Sequence, residues 1–170
     1  MRAAGAILAI ALALVLQTTV GGRLVIRGTV AVDLVLVVVV YVALTSGPVT
    51  GLLSGTAAGL VQDALSSGVI GIGGLAKTVV GFLVGIVGTQ FIVTQPLPRF
   101  VVFFAATIAH AVIFIGLYVV LDLRSFGAPV AAVAVQATGN ALAGVVAFQV
   151  VELLPGAVER RRAQRGRLRR

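Results

Sequence analysis

Long apolar segments, interrupted by helix-breaking residues about every twenty positions, dominate this sequence. A helix needs about 20 apolar residues to cross the hydrocarbon core of a bilayer. Hydrophobic residues make up 59% of the 170 residues, charged residues make up 11%, and the mean hydropathy is +1.16. A soluble domain is roughly 25% charged. Too few polar side chains remain to cover a globule in water, so the sequence predicts an all-α integral membrane protein.

Glycine and proline divide the chain into a predicted bundle of six transmembrane helices with short loops. Gly47 suits the position just after a helix and Pro48 the first position of the next one, which predicts a tight hairpin there. Residues 1–156 are predicted to form the transmembrane domain and residues 157–170 an Arg-rich cytoplasmic tail. The predicted spans are 3–20, 30–46, 48–65, 75–94, 100–121 and 129–154.

Basic residues are concentrated at the C-terminus, where residues 159–170 hold seven Arg and one Glu. An even number of spans puts both termini on one side, and the bias of basic residues towards the cytoplasm predicts that this side is the inside. A five-helix arrangement with a cleaved or external N-terminus is the alternative. The tail is expected to contact anionic lipids, with a cytoplasmic protein as the alternative partner and nucleic acid as the least expected one.

The residues that most enzyme sites require are missing. The chain contains no Cys and a single His, His110, which excludes thiolate chemistry and a multi-histidine metal site. No nucleophile elbow, phosphate-binding loop or zinc-protease motif occurs, and no span contains paired carboxylates. The sequence therefore predicts a non-catalytic protein without a cofactor or a metal.

Two neighbouring spans carry glycine at every fourth position: Gly51, Gly55 and Gly59 on span three, and Gly81 and Gly85 on span four. In lipid, helices associate through close backbone approach and interhelical hydrogen bonds. The glycine faces are expected to touch each other or neighbouring helices. Ordinary packing within the bundle and docking of a partner's helix are the two interpretations.

A charged residue stands at the loop end of each stripe, Asp63 on span three and Lys77 on span four. Both are expected near the outer interface, within reach of each other as a structural polar pair; whether they pair is left open by the sequence. The other polar residues singled out inside spans are Asp33, His110, Gln136 and Asn140. An interhelical hydrogen bond is the favoured role for His110, because no carboxylate is clearly at its depth for a proton relay. Gln136 and Asn140 share one face of span six, which predicts that this face points inward.

The glycine stripe that ends in an acid, followed by a small-residue loop and a second glycine-bearing helix, is the most specific pattern in the chain. Gly59-Leu60-Val61-Gln62-Asp63 carries its central step. The pattern also includes Val32-Asp33-Leu34, Tyr41, Gly47-Pro48, Gly51, Gly55, Ser67-Gly68 and Gly71. Over residues 32–91 it resembles the MreD family of rod shape-determining membrane proteins. The remaining spans match only in size, number and hydropathy, and the Arg tail is not part of the pattern.

This resemblance implies a non-catalytic subunit of the bacterial cell-elongation machinery in the cytoplasmic membrane. Such proteins associate directly with the single-span protein MreC. Through MreC they are coupled to MreB, to RodA and to a penicillin-binding transpeptidase of peptidoglycan synthesis. We expect the glycine-lined spans three and four to receive the MreC helix; a second copy of the chain is a further candidate partner.

A second interpretation is a membrane subunit that captures a small molecule. Six helices with short loops are also similar to the substrate-binding subunits of energy-coupling-factor vitamin transporters. The candidate pocket residues near the outer face are Asp63, Lys77, Gln136 and Asn140. Against this interpretation, aromatic residues are only 6% of the chain and Trp is absent, which leaves little to stack on a ring-shaped ligand. A proton-coupled antiporter is weaker still, because acidic residues are so few.

Overall fold

The computed structural model describes residues 3–20, 25–26, 29–30, 32–66, 68–91, 93, 95–123 and 129–167. Within these residues the chain forms six α-helices, which confirms the predicted all-α class. Two short strands, β1 (Val25–Ile26) and β2 (Thr29–Val30), pair in antiparallel fashion between the first two helices. The helices are α1 (Ala3–Val20), α2 (Leu34–Ser46), α3 (Pro48–Leu65), α4 (Ile72–Gln90), α5 (Pro96–Val120) and α6 (Val130–Arg167).

Helix α2 lies at the centre of the bundle and packs against all five other helices. Its sequence is apolar on every side, which is typical of a helix enclosed by others. One side packs with α4, α5 and α6 around the fully buried ring of Phe103. The opposite side packs with α1 and α3, where Ala58 has no exposed surface. The core of the molecule therefore surrounds α2.

The start of α2 differs from the predicted span, since the helix begins at Leu34 instead of residue 30. Asp33 caps it: Oδ1 of Asp33 accepts a hydrogen bond from the backbone N–H of Leu36 at 3.0 Å. The 13 residues of α2 span about 20 Å, which is less than the hydrocarbon core of about 30 Å.

Three of the described helices are long and apolar enough to cross a membrane: α4, α5 and the part of α6 from Val130 to Leu153. The apolar part of α1, Ala4–Thr19, and the whole of α2 are shorter. The predicted number of six membrane crossings therefore stays a prediction, although six helices are present.

Proline marks two helix starts. As predicted, Gly47 follows α2 with φ +87° and Pro48 opens α3, so one residue separates the two helices. The N–H of Gly47 donates to the carbonyl of Ala43 at 3.0 Å, which closes α2. Helix α5 begins at Pro96 and contains Pro98 in its first turn, where a missing backbone N–H has no intrahelical partner to lose.

The end of α6 contradicts the predicted stop at Pro155-Gly156, because the helix continues to Arg167. A proline inside a helix removes one backbone hydrogen bond and clashes with the preceding turn, at about 3 kcal/mol. The residues that follow are mainly Arg, Ala, Glu and Gln, which favour helix. Their propensity explains why the helix resumes after Pro155.

Candidate functional site

The predicted glycine stripes meet each other between α3 and α4. A Cβ atom placed on Gly51 would collide with the carbonyl oxygen of Gly81, and one on Gly55 would collide with the carbonyl oxygen of Lys77. Only a residue without a side chain permits two helix backbones to approach this closely. The two helices therefore pack backbone to backbone along the centre of the stripes.

The glycines at the ends of the stripes also pack against the backbone of the neighbouring helix. A Cβ on Gly59 would lie 2.6 Å from Cα of Gly74, and one on Gly85 would lie 2.6 Å from the nitrogen of Pro48. All five predicted glycines are thus covered by contacts within the chain. The expectation that these glycines receive a partner's helix is corrected accordingly: their surface is used by the α3–α4 interface.

Asp63 acts as a helix cap for α4, although it belongs to α3. Its Oδ2 accepts hydrogen bonds from the N–H groups of Gly71 and Gly74, both at 2.9 Å. Gly71 stands at the N-cap position of α4 and has no side chain of its own to do this. A Cβ on Gly73 would collide with Oδ1 of Asp63, so the glycines after the loop make room for the carboxylate.

Lys77 pairs with Asp33 and not with Asp63, which corrects the predicted polar pair. Nζ of Lys77 lies 2.9 Å from Oδ2 of Asp33 and 3.3 Å from Nε2 of His110. Because an ammonium group only donates, Nε2 of His110 accepts this hydrogen bond and the ring proton belongs on Nδ1. The three side chains are buried, with exposed fractions of 3% for Lys77, 6% for Asp33 and 8% for His110.

A second set of hydrogen bonds connects α6 to the same place. Oδ1 of Asn140 accepts from the backbone N–H of Asp33 at 2.7 Å, and Nδ2 of Asn140 donates to Oγ1 of Thr107 at 3.1 Å. Asn140 therefore faces inward, as predicted from its spacing with Gln136 on α6. The favoured interpretation of His110, an interhelical hydrogen bond, agrees with its contact to Lys77 of α4.

Helix α1 joins this arrangement through Gln17. Its Nε2 donates to the carbonyl of Val32 at 3.3 Å, and its Oε1 accepts from the N–H of Leu34 at 2.8 Å. Gln17 is not among the residues predicted from the sequence, since a glutamine near a helix end carries no signal of a long-range partner. We refer to Gln17, Asp33, Lys77, Thr107, His110 and Asn140 as the polar cluster. It joins α1, the start of α2, α4, α5 and α6.

A cavity of about 540 Å³ adjoins the polar cluster. Charged and amide side chains line one part of it, and apolar side chains of α5 and α6 line another. Gln136 lines the cavity, and so do the carboxylates of Asp33 and Asp63. The lining residues used below are Asp33, Gln62, Asp63, Lys77, Phe114 and Gln136.

A separate ion pair joins α5 to α6, eight residues before Thr107 on α5 and twelve residues after Asn140 on α6. The guanidinium of Arg99 binds both carboxylate oxygens of Glu152 and lies 4.4 Å from the ring centroid of Phe148. Arg99 is 4% exposed, whereas sequence analysis placed it in a connecting loop. The sequence feature that could have indicated this pair is Glu152, an acidic residue near the end of an apolar span.

The arrangement holds helices together and presents no reactive group. Each charged side chain in the polar cluster has a partner from another helix, and the polar atoms serve as caps or links. Among the residues that the structure describes, no three His, Asp or Glu side chains could hold a metal ion together. The geometry is that of a structural centre beside an open cavity.

Comparison with known families gives one finding. A family model described as rod shape-determining protein MreD matches residues 3–154. The match covers α1 to α5, the apolar part of α6 and every residue of the polar cluster. No curated protein and no solved structure matches the chain.

Proposed function

Because this chain belongs to the rod shape-determining MreD family, we propose that it is a non-catalytic scaffold subunit of the bacterial cell-elongation machinery. The observation that carries this proposal is the extent of the family match, residues 3–154. The internal pairing of the buried charges Asp33, Lys77 and Arg99 fits a protein that acts through its shape. Three apolar helices support a place in a membrane, which we propose is the cytoplasmic membrane.

The proposed direct partner is MreC, and the proposed contact is with its single transmembrane helix. MreB, RodA and a penicillin-binding transpeptidase would then belong to the same complex through MreC. Since the glycine stripes are covered by internal packing, the contact needs another surface. The groove between α4 and α5 is the best candidate, because both helices are long and apolar enough to lie in the bilayer.

This groove has a volume of about 230 Å³ and an almost purely apolar lining. On α5 its wall consists of valine and alanine, including Ala105, Ala106 and Ala109, and on α4 it includes Val80 and Val84. Small side chains let a further helix approach closely, which is the main source of helix association in lipid. A single apolar helix can therefore approach the small residues of the groove more closely than the large exposed side chains of the outer faces.

The test is co-purification from native membranes in mild detergent, with MreC quantified by mass spectrometry. Ala105→Leu fills the exposed groove, whereas Ala57→Leu adds the same atoms to the exposed outer face of α3. We expect Ala105→Leu to lower MreC recovery about tenfold, equivalent to about 1.4 kcal/mol, and Ala57→Leu to leave it unchanged. Equal recovery with both variants would refute the groove, and absence of MreC from the wild-type preparation would refute the partner.

The topology proposed with this function is six crossings with both termini in the cytoplasm. Residues 157–170 would then lie at the cytoplasmic surface of the membrane. Each basic residue there contributes about 1 kcal/mol to binding of anionic headgroups. A chain lacking these residues should retain less anionic lipid after purification, and the difference should disappear at high salt. Labelling that places the two termini on opposite sides would contradict the topology.

A ligand-capturing transport subunit is the second candidate, and the cavity beside the polar cluster is the observation that favours it. Asp63, Lys77 and Gln136 line this cavity as that interpretation requires, whereas Asn140 binds Asp33 and Thr107 instead. A homodimer is a further arrangement that the apolar faces permit. Co-purification distinguishes these proposals, because a transport subunit would recover an energising transporter component in place of MreC.

A further inference from the structure

The cavity beside the polar cluster has two chemically different walls. One wall is polar and includes Gln62 and Asp63 from the last turns of α3, together with Asp33 and Lys77. The other wall is mainly apolar, formed by Phe114, Ile115, Ala132 and Val133 of α5 and α6. A volume of about 540 Å³ falls within the range of about 300–1,000 Å³ that is typical of small-molecule sites. The shape and lining suit a molecule with a polar head and an apolar body.

Among the described residues that line the cavity, one buried side-chain acceptor has no hydrogen-bond partner. Oε1 of Gln62 is buried without a hydrogen-bond partner. Asp63, the next residue of α3, uses Oδ2 to bind two amides of α4. A buried acceptor that lacks a donor costs about 1–3 kcal/mol, so the site is incomplete as it stands. The missing group must donate a hydrogen bond to Oε1 of Gln62.

The charge of the lining specifies the donor further. Asp33 and Lys77 neutralise each other at 2.9 Å, and His110 accepts a hydrogen bond from Lys77, which leaves it neutral. Among the described residues Asp63 has no ion-pair partner, and its carboxylate binds two backbone amides, so it brings a negative charge to the cavity wall. A cationic donor complements both the charge of Asp63 and the free acceptor of Gln62.

We infer that the cavity binds a primary ammonium group attached to an apolar body. The ammonium donates to Oε1 of Gln62 on the wall that carries the Asp63 carboxylate, and the apolar body lies along Phe114 and its neighbours on α5 and α6. An aminophospholipid headgroup and a free amine both supply this chemistry. The site is separate from the proposed MreC groove, whose lining shares no residue with the cavity.

Thermal unfolding of the purified protein in detergent, followed by circular dichroism, tests the inference. Lysophosphatidylethanolamine and lysophosphatidylcholine share phosphate and acyl chain, but only the first has N–H donors. We expect the first to raise Tm and the second to leave it unchanged. A rise with free ethanolamine as well identifies a soluble amine as sufficient, and a rise with the lipid alone identifies the headgroup in its membrane context. Equal effects of the two lipids would overturn the inference.

Variants of Gln62 locate the effect. Gln62→Leu removes the free acceptor without breaking a hydrogen bond of the described chain, and we expect about tenfold weaker binding of lysophosphatidylethanolamine. Gln62→Glu adds a carboxylate next to Asp63 in the chain and should strengthen binding of the ammonium group. Gln149→Leu, on the exposed side of α6, is the matched control and should change nothing. If Gln62→Leu does not fold, weaker or unchanged binding by Gln62→Glu still overturns the inference.

Discussion

The buried ion pair between Lys77 and Asp33 gives the strongest prediction for stability. At a separation of 2.9 Å, the attraction is about 6 kcal/mol for an effective dielectric constant of about 20. Removing both charges from water offsets much of it. Lys77→Met keeps the length of the side chain but leaves the Asp33 carboxylate buried without a cation, and we expect a loss of about 3–5 kcal/mol in the free energy of unfolding.

Asp33→Asn is the complementary change. Asparagine still caps α2 through its side-chain oxygen, so this variant removes the charge and leaves Lys77 without its anion. We expect a loss similar to that of Lys77→Met. In the double variant no unpaired charge remains, and its loss should fall short of the sum of the single losses by about 2–3 kcal/mol.

The assay is denaturation of the wild type, the two single variants and the double variant in mixed micelles, monitored by the loss of the helical circular dichroism signal. Gln149→Leu, at an exposed position, serves as the control and should stay within about 0.5 kcal/mol of the wild type. Losses in the double variant that equal the sum of the two single losses would refute the reasoning, because the two side chains would then contribute independently.

Two further predictions concern helix ends. Asp63→Ala should cost about 1–2 kcal/mol and speed amide hydrogen exchange at Gly71, because α4 loses its cap, while Asp63→Asn should cost less. Arg99→Lys should lower Tm more than Glu152→Gln does, since lysine loses both the two-pronged pairing and the planar contact with Phe148, the latter about 1–2 kcal/mol. Identical Tm values for these two variants would argue against the stacking contribution.

Helix boundaries could be predicted where one residue type determines the local backbone. Gly47 and Pro48 set the turn between α2 and α3, since φ +87° suits glycine and the fixed φ of proline suits a first helical position. The same reasoning failed at Pro155, where the helix-favouring residues that follow outweigh a single proline. Glycine spacing likewise predicted that the faces of α3 and α4 touch each other or neighbouring helices, and the structure shows that they touch each other.

Contacts between distant helices could not be predicted, because sequence spacing places residues on a helix face without placing the helices. Two acidic residues were candidate partners for Lys77: Asp63 in α3 and Asp33 just before α2. The loop suggested Asp63 by proximity, yet the free amides at the start of α4 satisfy that carboxylate. Because α2 is apolar on all its sides, it lies at the centre of the bundle. This position brings Asp33, which caps α2, to Lys77 instead. The free acceptor of Gln62 is likewise visible only once the helices are packed.

The glycine interface and the buried ion pair are coupled through one residue. Lys77 turns its carbonyl towards Gly55 of α3, and its side chain reaches Asp33. A Cβ on Gly55 would lie 2.9 Å from the nitrogen of Thr78 and would collide with the backbone of Lys77, so Gly55→Ala must displace α4 at this position. We therefore expect Gly55→Ala to weaken the ion pair as well as the packing.

This coupling is measurable, because Gly55→Ala should destabilise the wild type by about 1–2 kcal/mol more than it destabilises Lys77→Met, in which no ion pair is left to disturb. Gly85→Ala is the matched control: it meets Pro48, and it lies eight residues, about 12 Å, along α4 from Lys77. Its effect should be the same in both backgrounds, since residues that far apart contribute additively. Additive behaviour of Gly55→Ala would mean that α4 moves as a rigid body without disturbing Asp33, and the two features would then be independent.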